Sequence, residues 1–263
     1  MIDIQTGHSC FMCTVTVHQS ATATQVTMNR DEMRDRGPEL PPIVRRDDTL
    51  LWVTPVDSVS KGSWMGINTH GVVACLLNLY MPGDRTRTGN GGRASRGSIV
   101  PSILKLGSFD ATCNWLTHHF DPSNHPSFSV VITTQGKGRA FSWIPGAASF
   151  TQDSIDEPWW MTTSSSWRTA EVLAWRQARF EAWREEGEPW IGWLPRFHLL
   201  QPEGREEWAP LMQRETTCTR SITQASMDPS AQKVTLRYWP LNGGEPPDPE
   251  SPRYTISLPW QTG

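Results

Sequence analysis

The segment CTVTVHQSATATQVTMNRDE, residues 13–32, has the pattern of a β-hairpin. β-Branched residues recur in both halves and favour strands, while the Ser, Ala and Thr residues between them fit a turn. The first strand begins with a thiol, Cys13, and the second ends in the polar cluster Asn29-Arg30-Asp31-Glu32. A hairpin brings its open ends together, so the thiol and an Arg-Asp pair are predicted to lie within a few ångström of each other.

The length, charge, hydrophobicity and cysteine count of the chain limit the kinds of protein that it can be. The 263 residues are enough to bury a substantial core. With 24 basic and 27 acidic residues, the net charge is −3, which does not favour a nucleic acid as partner. No stretch is long enough and apolar enough for stable membrane insertion, and the first twelve residues lack the features of a signal peptide, so a cytoplasmic protein is expected. The odd number of cysteines, five, favours reduced thiols.

The remaining pattern runs from strands to helices and back to strands. A second hairpin is predicted over residues 64–80, where the apolar run VVACLLNLY indicates a strand covered on both faces. This order favours an α+β fold built around paired antiparallel sheets. The other predicted elements are helices over 99–106, 111–120, 168–185 and 203–213, a hairpin over 128–143, three closing strands over 217–225, 233–239 and 254–258, and a Pro-rich loop over 34–48.

Several short motifs together resemble the NRDE family, which is also named for transport and Golgi organisation protein 2. They are Met12-Cys13-Thr14, Met28-Asn29-Arg30-Asp31-Glu32, Gly62-Ser63-Trp64-Met65-Gly66-Ile67, Leu77-Asn78, Arg96-Gly97 and Thr219-Arg220-Ser221. The resemblance implies an N-terminal nucleophile hydrolase fold, a four-layer αββα sandwich of two antiparallel sheets between helices. It also implies a distant similarity to choloylglycine hydrolases and penicillin V acylases, which cleave amide bonds with an N-terminal cysteine.

The resemblance makes residues 13–263 a single domain, preceded by an N-terminal extension of residues 1–12. Cys13 becomes the candidate nucleophile, activated by its own α-amino group, whose ordinary pKa is about 7.7–8.0. This mechanism requires Cys13 to be the first residue of the mature chain. Translation from Met12, autocatalytic removal of the extension and a protein that is not a hydrolase all remain open. Taken alone, without the resemblance, the residues favour an inert strand cysteine.

The charged cluster of the hairpin has two predicted roles. Arg30 can lower the pKa of the thiol or hold a substrate carboxylate; its alternative is a structural ion pair with Asp31 or Glu32. Neighbouring residues of a strand point to opposite faces, so Asp31 shares a site with Arg30 only if the strand ends or bulges there. Asn29 can join Asp31 on its face, and no role is derived for Glu32.

Further site residues follow from the resemblance. Asn78 is predicted to help form an oxyanion hole, with a hydrogen-bonded core amide as the alternative. Arg220 is predicted to stabilise the nucleophile pocket, or else to face solvent. The second asparagine of the acylases is absent, and the matching stretch holds Ser164 and Ser165. These serines are predicted to contact the substrate, together with Asn29 and Trp64.

The sequence therefore predicts a cysteine hydrolase acting on a non-peptide C–N amide bond of a small molecule. The alternative is a non-catalytic member that binds or traffics a hydrophobic ligand such as haem, acyl-CoA or lipid, with the tryptophans of residues 159–208 lining its pocket. A scaffold with a vestigial site is a third option. The Cys10-Phe11-Met12-Cys13 motif lacks a second ligand pair, so neither a metal nor another cofactor is expected. The sequence indicates no oligomeric state.

Overall fold

The protein is represented by a computed structural model that describes residues 12–48, 50–80, 94–187, 189–241, 243 and 245–261. The strands, in chain order, are β1 (Met12–Gln19), β2 (Thr24–Met33), β3 (Leu40–Asp47), β4 (Leu50–Val56), β5 (Met65–Asn68), β6 (Val73–Asn78), β7 (Phe128–Thr134), β8 (Lys137–Trp143), β9 (Thr151–Ser154), β10 (Trp159–Ser165), β11 (Trp190–Ile191), β12 (Leu194–Pro195), β13 (Thr217–Asp228), β14 (Lys233–Pro240) and β15 (Tyr254–Pro259). The α-helices are α1 (Ile99–Leu104), α2 (Phe109–His118) and α3 (Thr169–Glu185), and short 3-10 helices span Arg96–Ser98 and Arg196–Leu199.

Two antiparallel sheets pack face to face between helices. The first sheet has six strands in the order β10-β1-β2-β13-β14-β15, and the second has seven, in the order β3-β4-β5-β6-β7-β8-β9. Helix α3 covers the outer face of the first sheet, while α1 and α2 cover that of the second. The predicted α+β sandwich is confirmed. Within the described residues, no helix is both long enough and apolar enough to cross a membrane.

The alternation of side chains along the central strands explains this layering. Val15 and Val17 of β1 point between the sheets, where they share one buried cluster with Val73 and Leu77 of β6. The intervening residues of β1, such as Thr14, point to the outer face beneath α3 and are also buried. Because buried polar groups need hydrogen-bond partners, the residues under α3 must form a polar network.

Two predicted elements are wrong. The sequence predicts a loop over residues 34–48, but they contain β3, which pairs with β4 at the edge of the second sheet. Prolines are tolerated in an edge strand because one of its sides makes no ladder hydrogen bonds, so Pro41 and Pro42 do not prevent pairing. Residues 203–213 form turns and an isolated bridge from Gln213 to Cys218 instead of a helix.

Gly66 sets the distance between the second sheet and α1. A Cβ atom at this position would lie 2.4 Å from Thr54 Cγ2, 2.7 Å from Leu104 Cδ1 and 2.7 Å from the Val53 carbonyl oxygen. We expect Gly66→Ala to lower the free energy of unfolding by about 1–3 kcal/mol, because overpacking forces these atoms apart. Urea denaturation measures the loss. Adding Thr54→Ser removes the nearest methyl group and should restore part of the stability; an unchanged Gly66→Ala protein would contradict this packing.

Candidate active site around Cys13

Cys13 lies in β1 between two neighbouring strands. Its Cα partners are Arg30 of β2 and Ser164 of β10, so all three side chains share the face between the sheets. The Cys13 peptide nitrogen donates a hydrogen bond of 3.3 Å to Ser164 Oγ. Burial raises the pKa of the thiol to about 12, the charge of Asp31 adds to this rise, and the Asp31 N–H bonded to the sulfur opposes it. In this arrangement the thiol is protonated at neutral pH.

The Arg30 guanidinium is held by three carboxylates. Its Nη1 donates to Glu39 Oε1 at 2.5 Å, and its Nη2 donates to Glu32 Oε2 at 3.0 Å and to Asp57 Oδ2 at 2.8 Å. The Arg30 Cζ atom lies 4.4 Å from the centroid of the Trp64 ring, so the guanidinium group makes a cation–π contact with Trp64. The ion pair with Glu32 that the sequence offered as an alternative is therefore formed. Since both Nη groups bind protein carboxylates, the placement favours the electrostatic role, and the positive charge of Arg30 does act to lower the Cys13 pKa.

Arg220 reaches this site indirectly. It is the additional residue of a bulge in β13, where the pairing with β2 shifts between Thr219 and Ser221. Its Nη2 lies 3.6 Å from Glu39 Oε2, and its Nη1 donates to the backbone oxygen of Arg34 at 2.9 Å. Arg220 thus stabilises the carboxylate that binds Arg30, and the alternative of a solvent-facing side chain is wrong.

Sequence reasoning missed the acidic partners of this cluster. Asp57 accepts hydrogen bonds from Arg36 Nε at 2.8 Å and from Arg36 Nη2 at 2.9 Å as well as from Arg30. Burial raises the pKa of Glu32, whereas hydrogen bonds from Arg36 and Ser60 hold the pKa of Asp57 below its usual value despite burial. Nothing local in the sequence marks Glu39 or Asp57 as partners of Arg30, because both lie outside the hairpin.

Asn29 and Asp31 lie on the opposite face of the first sheet, beneath α3. Asp31 Oδ1 accepts a hydrogen bond of 2.6 Å from Thr219 Oγ1, and Asn29 Nδ2 donates to the carbonyl oxygens of His198 and Pro210 at 3.0 and 2.7 Å. Asn29 and Asp31 thus share one face of β2, and a role of Asn29 in binding substrate stays a prediction. β2 keeps its alternation here, since the bulge is in β13, so the Asp31 carboxylate and the Arg30 guanidinium do not share a site.

Two charged or titratable groups that sequence reasoning did not single out complete this outer network. His198 Nδ1 contacts Asn29 Oδ1 at 2.8 Å and His198 Nε2 contacts Thr16 Oγ1 at 2.8 Å, while burial lowers the His198 pKa to about 3. Arg176 of α3 is fully buried, and its Nη2 lies 3.9 Å from Asp31 Oδ2. Burial raises the pKa of Asp31 to about 7, and the Arg176 charge opposes the rise.

The other predicted residues divide between the two faces. Asn78 ends β6, and its side chain bonds the Tyr80 hydroxyl. Tyr80, which the sequence did not single out, lies close enough to Cys13 for the thiolate charge to raise its pKa, although burial is the larger cause. Ser164 contacts Cys13, but Ser165 Oγ donates to the Trp167 carbonyl oxygen at 2.6 Å, so a substrate contact is not supported for Ser165.

Cys10 of the C-x-x-C motif lies outside the described residues. Among the residues that are described, no group of three or more His, Cys, Asp or Glu side chains is arranged to hold a metal ion. Cys75, a second buried thiol, lies on the same inner face as Cys13 in the cluster between the sheets. Burial raises its pKa, and so does the charge of Cys13.

With this geometry in place, comparison with known proteins identifies the family. The model of the transport and Golgi organisation 2 family matches residues 12–181, which contain Cys13, Arg30, Asn78 and Ser164. The chain belongs to this family. No curated protein matches the sequence. The suspected family resemblance is confirmed.

Solved structures with low sequence identity share the fold of this family member. The Caenorhabditis elegans orthologue of N-acylethanolamine-hydrolyzing acid amidase matches with a TM-score of 0.53 and 10% identity, covering 82% of this chain and 93% of that one. A mutant of conjugated bile acid hydrolase from Clostridium perfringens matches with a TM-score of 0.53 and 7% identity, covering 95% of this chain and 97% of that one. The distant similarity to N-terminal nucleophile acylases is therefore confirmed at the level of the fold.

Proposed function

We propose that this member of the transport and Golgi organisation 2 family is a cysteine amidase of the N-terminal nucleophile type, acting on a small-molecule amide. The contact between the Cys13 nitrogen and Ser164 Oγ, at 3.3 Å, is the observation that carries the proposal. If Cys13 is the first residue, this nitrogen becomes an α-amine, already oriented beside its own thiol. An amine of pKa about 7.7–8.0 can accept the thiol proton near neutral pH.

The reaction follows from these groups. The α-amine takes the thiol proton, and the Cys13 sulfur attacks the carbonyl carbon of the amide. Collapse of the tetrahedral intermediate breaks the C–N bond, and the leaving amine takes its proton from the α-ammonium group. Water, deprotonated by the same α-amine, then hydrolyses the thioester. The Arg30 charge favours the thiolate, and Asn78, Tyr80 and Ser164 are the candidate groups around the carbonyl oxygen.

The same geometry explains why a residue attached before Cys13 opposes activity. The Cys13 nitrogen is then a peptide nitrogen and cannot accept a proton, while burial holds the thiol pKa at about 12. Met12 is itself fully buried against Val172 and Met212. Activity is therefore proposed to depend on an N-terminus at Cys13.

Release of Cys13 as the first residue is expected to increase acylation of its thiol at least about tenfold at pH 7.5, because the free amine supplies the missing base. A chain that begins at Cys13, prepared by cleaving a removable leader, is compared with the full sequence. Both are treated with p-nitrophenyl acetate, and acetylated protein is counted by intact mass. The same assay on the untagged full sequence first establishes which N-terminus it carries.

Two variants of the chain that begins at Cys13 serve as controls. Cys13→Ala should abolish the increase, whereas Cys75→Ala, which removes a neighbouring buried thiol, should retain it. Equal acylation of the Cys13→Ala and unsubstituted proteins would eliminate Cys13 as the nucleophile.

The ligand-binding alternative receives less support from the placement of the tryptophans. Trp159 and Trp183 pack edge to face with ring centroids 4.8 Å apart, and Trp183 also packs on Phe180 and Phe197 beneath α3. Trp167 and Trp208 are covered by arginine guanidinium groups. These rings fill the layer between the first sheet and α3. Binding or transport of haem, acyl-CoA or lipid therefore stays a prediction. Tryptophan quenching by haem or acyl-CoA that survives Cys13→Ala would favour it.

A further inference from the structure

We propose that Arg176 of α3 is a positioning residue for Cys13, holding the nucleophile strand from the outer face of the first sheet. The inference rests on the proposed function, because positioning matters only if the Cys13 sulfur reacts. It concerns a residue on a helix, outside every motif that carries the family resemblance. Arg176 does not touch the thiol and acts through the two strands that flank it.

The Arg176 guanidinium is fully buried and donates hydrogen bonds in several directions. Nη1 donates to Thr14 Oγ1 at 2.6 Å and to Thr163 Oγ1 at 2.8 Å. Nε donates to the Trp208 carbonyl oxygen at 2.8 Å, and Nη2 donates to that of Ala209 at 2.5 Å. The guanidinium thus joins β1, β10 and the segment before β13 at the level of Cys13.

The two threonines pass this constraint to the backbone of Cys13. Thr163 Oγ1 donates to the Cys13 carbonyl oxygen at 3.0 Å and lies 3.0 Å from Thr14 Oγ1. Arginine can only donate hydrogen bonds, so both hydroxyl hydrogens must point away from it. Thr14 then donates to Thr163, and Thr163 donates to Cys13. This directed chain fixes the carbonyl group of the nucleophile residue, while Ser164, the next residue of β10, bonds its nitrogen.

Asp31 gives Arg176 a second route to the sulfur. Its carboxylate lies 3.9 Å from Arg176 Nη2, and its backbone N–H bonds the Cys13 sulfur. Arg176 therefore places a positive charge beside the buried carboxylate whose own amide contacts the thiol. Loss of the guanidinium would loosen the carbonyl, the neighbouring strand and the amide that together orient the sulfur.

A general role in packing does not account for this arrangement. The other buried residues of α3 are apolar: Val172, Phe180 and Trp183. Burying a guanidinium among them costs desolvation energy, which an apolar side chain would avoid. Arg176 donates hydrogen bonds to Thr14 and Thr163, which lie next to Cys13 and to its strand partner Ser164. A role in packing alone does not require these hydrogen bonds.

Arg176→Lys provides the test, since it keeps the positive charge but loses the planar fork of donors. Arg179→Lys is the matched control, because Arg179 lies three residues along the same helix and is exposed. Acylation of Cys13 by p-nitrophenyl acetate is measured from pH 5 to 10 on the full chain and on the chain that begins at Cys13, with Cys10→Ser in the full chain. We expect Arg176→Lys to reduce the maximal acylation rate about 10- to 100-fold with little change in the half-saturating concentration, as for small displacements of reacting groups.

Threonine variants keep the proposal testable if Arg176→Lys does not fold. Thr163→Val removes the hydroxyl bonded to Cys13 and should reproduce the loss of rate, while Thr163→Ser should retain the wild-type rate. Combining Arg176→Lys with Thr163→Val should reduce the rate by less than the product of the two single effects, since both act on one chain of hydrogen bonds. A purely structural role would lower the melting temperature but leave the rate and pH profile of the folded protein unchanged.

The outcomes separate this inference from the proposed function. Cys13-dependent acylation that proceeds at the wild-type rate in folded Arg176→Lys, or at the wild-type rate in folded Thr163→Val, would overturn the positioning role and leave the amidase proposal standing. Acylation that persists in Cys13→Ala would overturn the amidase proposal itself, and the positioning role with it.

Discussion

Replacing Arg30 by methionine is expected to lower the free energy of unfolding by about 3–5 kcal/mol, the range found when one partner of a buried ion pair is removed. Glu32, Glu39 and Asp57 all contact this guanidinium, and no more than a tenth of any of these side chains is exposed. Without Arg30 the three carboxylates face one another across a space that little water reaches. Methionine fills most of the volume but donates no hydrogen bond.

Urea denaturation at pH 7 measures this loss. Arg184→Met is the control, because the ion pair of Arg184 with Glu157 is exposed and such pairs contribute less than about 1 kcal/mol. Adding Glu32→Gln to Arg30→Met should recover part of the stability by removing one of the three negative charges that then face one another. If Arg30→Met destabilises the protein as little as Arg184→Met does, the ion pairs of Arg30 do not contribute the expected stability.

Asp31→Asn is expected to change how stability depends on pH. The Asp31 pKa of about 7 lies above its usual value of 3.8, so the folded protein retains a proton that the unfolded chain has released. This contribution to stability is fully present below pH 3.8 and is lost as the pH rises through 7. Relative to wild type, Asp31→Asn should therefore gain about 1.4 kcal/mol per pH unit between these two values.

Asp31→Asn is compared with the wild-type protein because the titration of His198 changes stability with pH in the opposite direction. Its pKa is lowered from 6.5 to about 3, so the unfolded chain binds a proton that the folded protein does not, and stability rises with pH across that interval. Subtracting the wild-type curve from that of Asp31→Asn cancels this contribution. Urea denaturation from pH 4 to 8 provides both curves, with the exposed Asp153→Asn as the control. A difference that is constant with pH would mean that Asp31 is ionised throughout.

The hairpin shows how far local sequence determines this site. β-Branched alternation and a polar turn predict β1 and β2, and the register indeed places Cys13 opposite Arg30. The same alternation correctly makes Asp31 a doubtful companion of Arg30. What surrounds Arg30 was not predictable, since Glu39 and Asp57 reach it from outside the hairpin through the tertiary fold.

Arg176 illustrates a second limit. The sequence predicts a helix over residues 168–185, and the buried positions of α3 in the structure are Val172, Arg176, Phe180 and Trp183. Their spacing of three and four residues can be recognised in the sequence as one face of a helix. A single arginine on such a face is the feature that could have pointed to Arg176. Its partners are threonines on two strands and two backbone carbonyls, which no pattern in the sequence connects.

The unbroken alternation of β2 has a consequence for comparing relatives of this protein. The Asn-Arg-Asp-Glu tetrapeptide contributes side chains to both faces of the first sheet. Arg30 and Glu32 lie on the face between the two sheets, and Asn29 and Asp31 lie on the face beneath α3. Substitutions at the first pair would be compensated at Glu39 or Asp57, and those at the second pair at His198 or Arg176. The motif that names the family is thus two interleaved pairs of residues, each free to covary with its own set of distant positions.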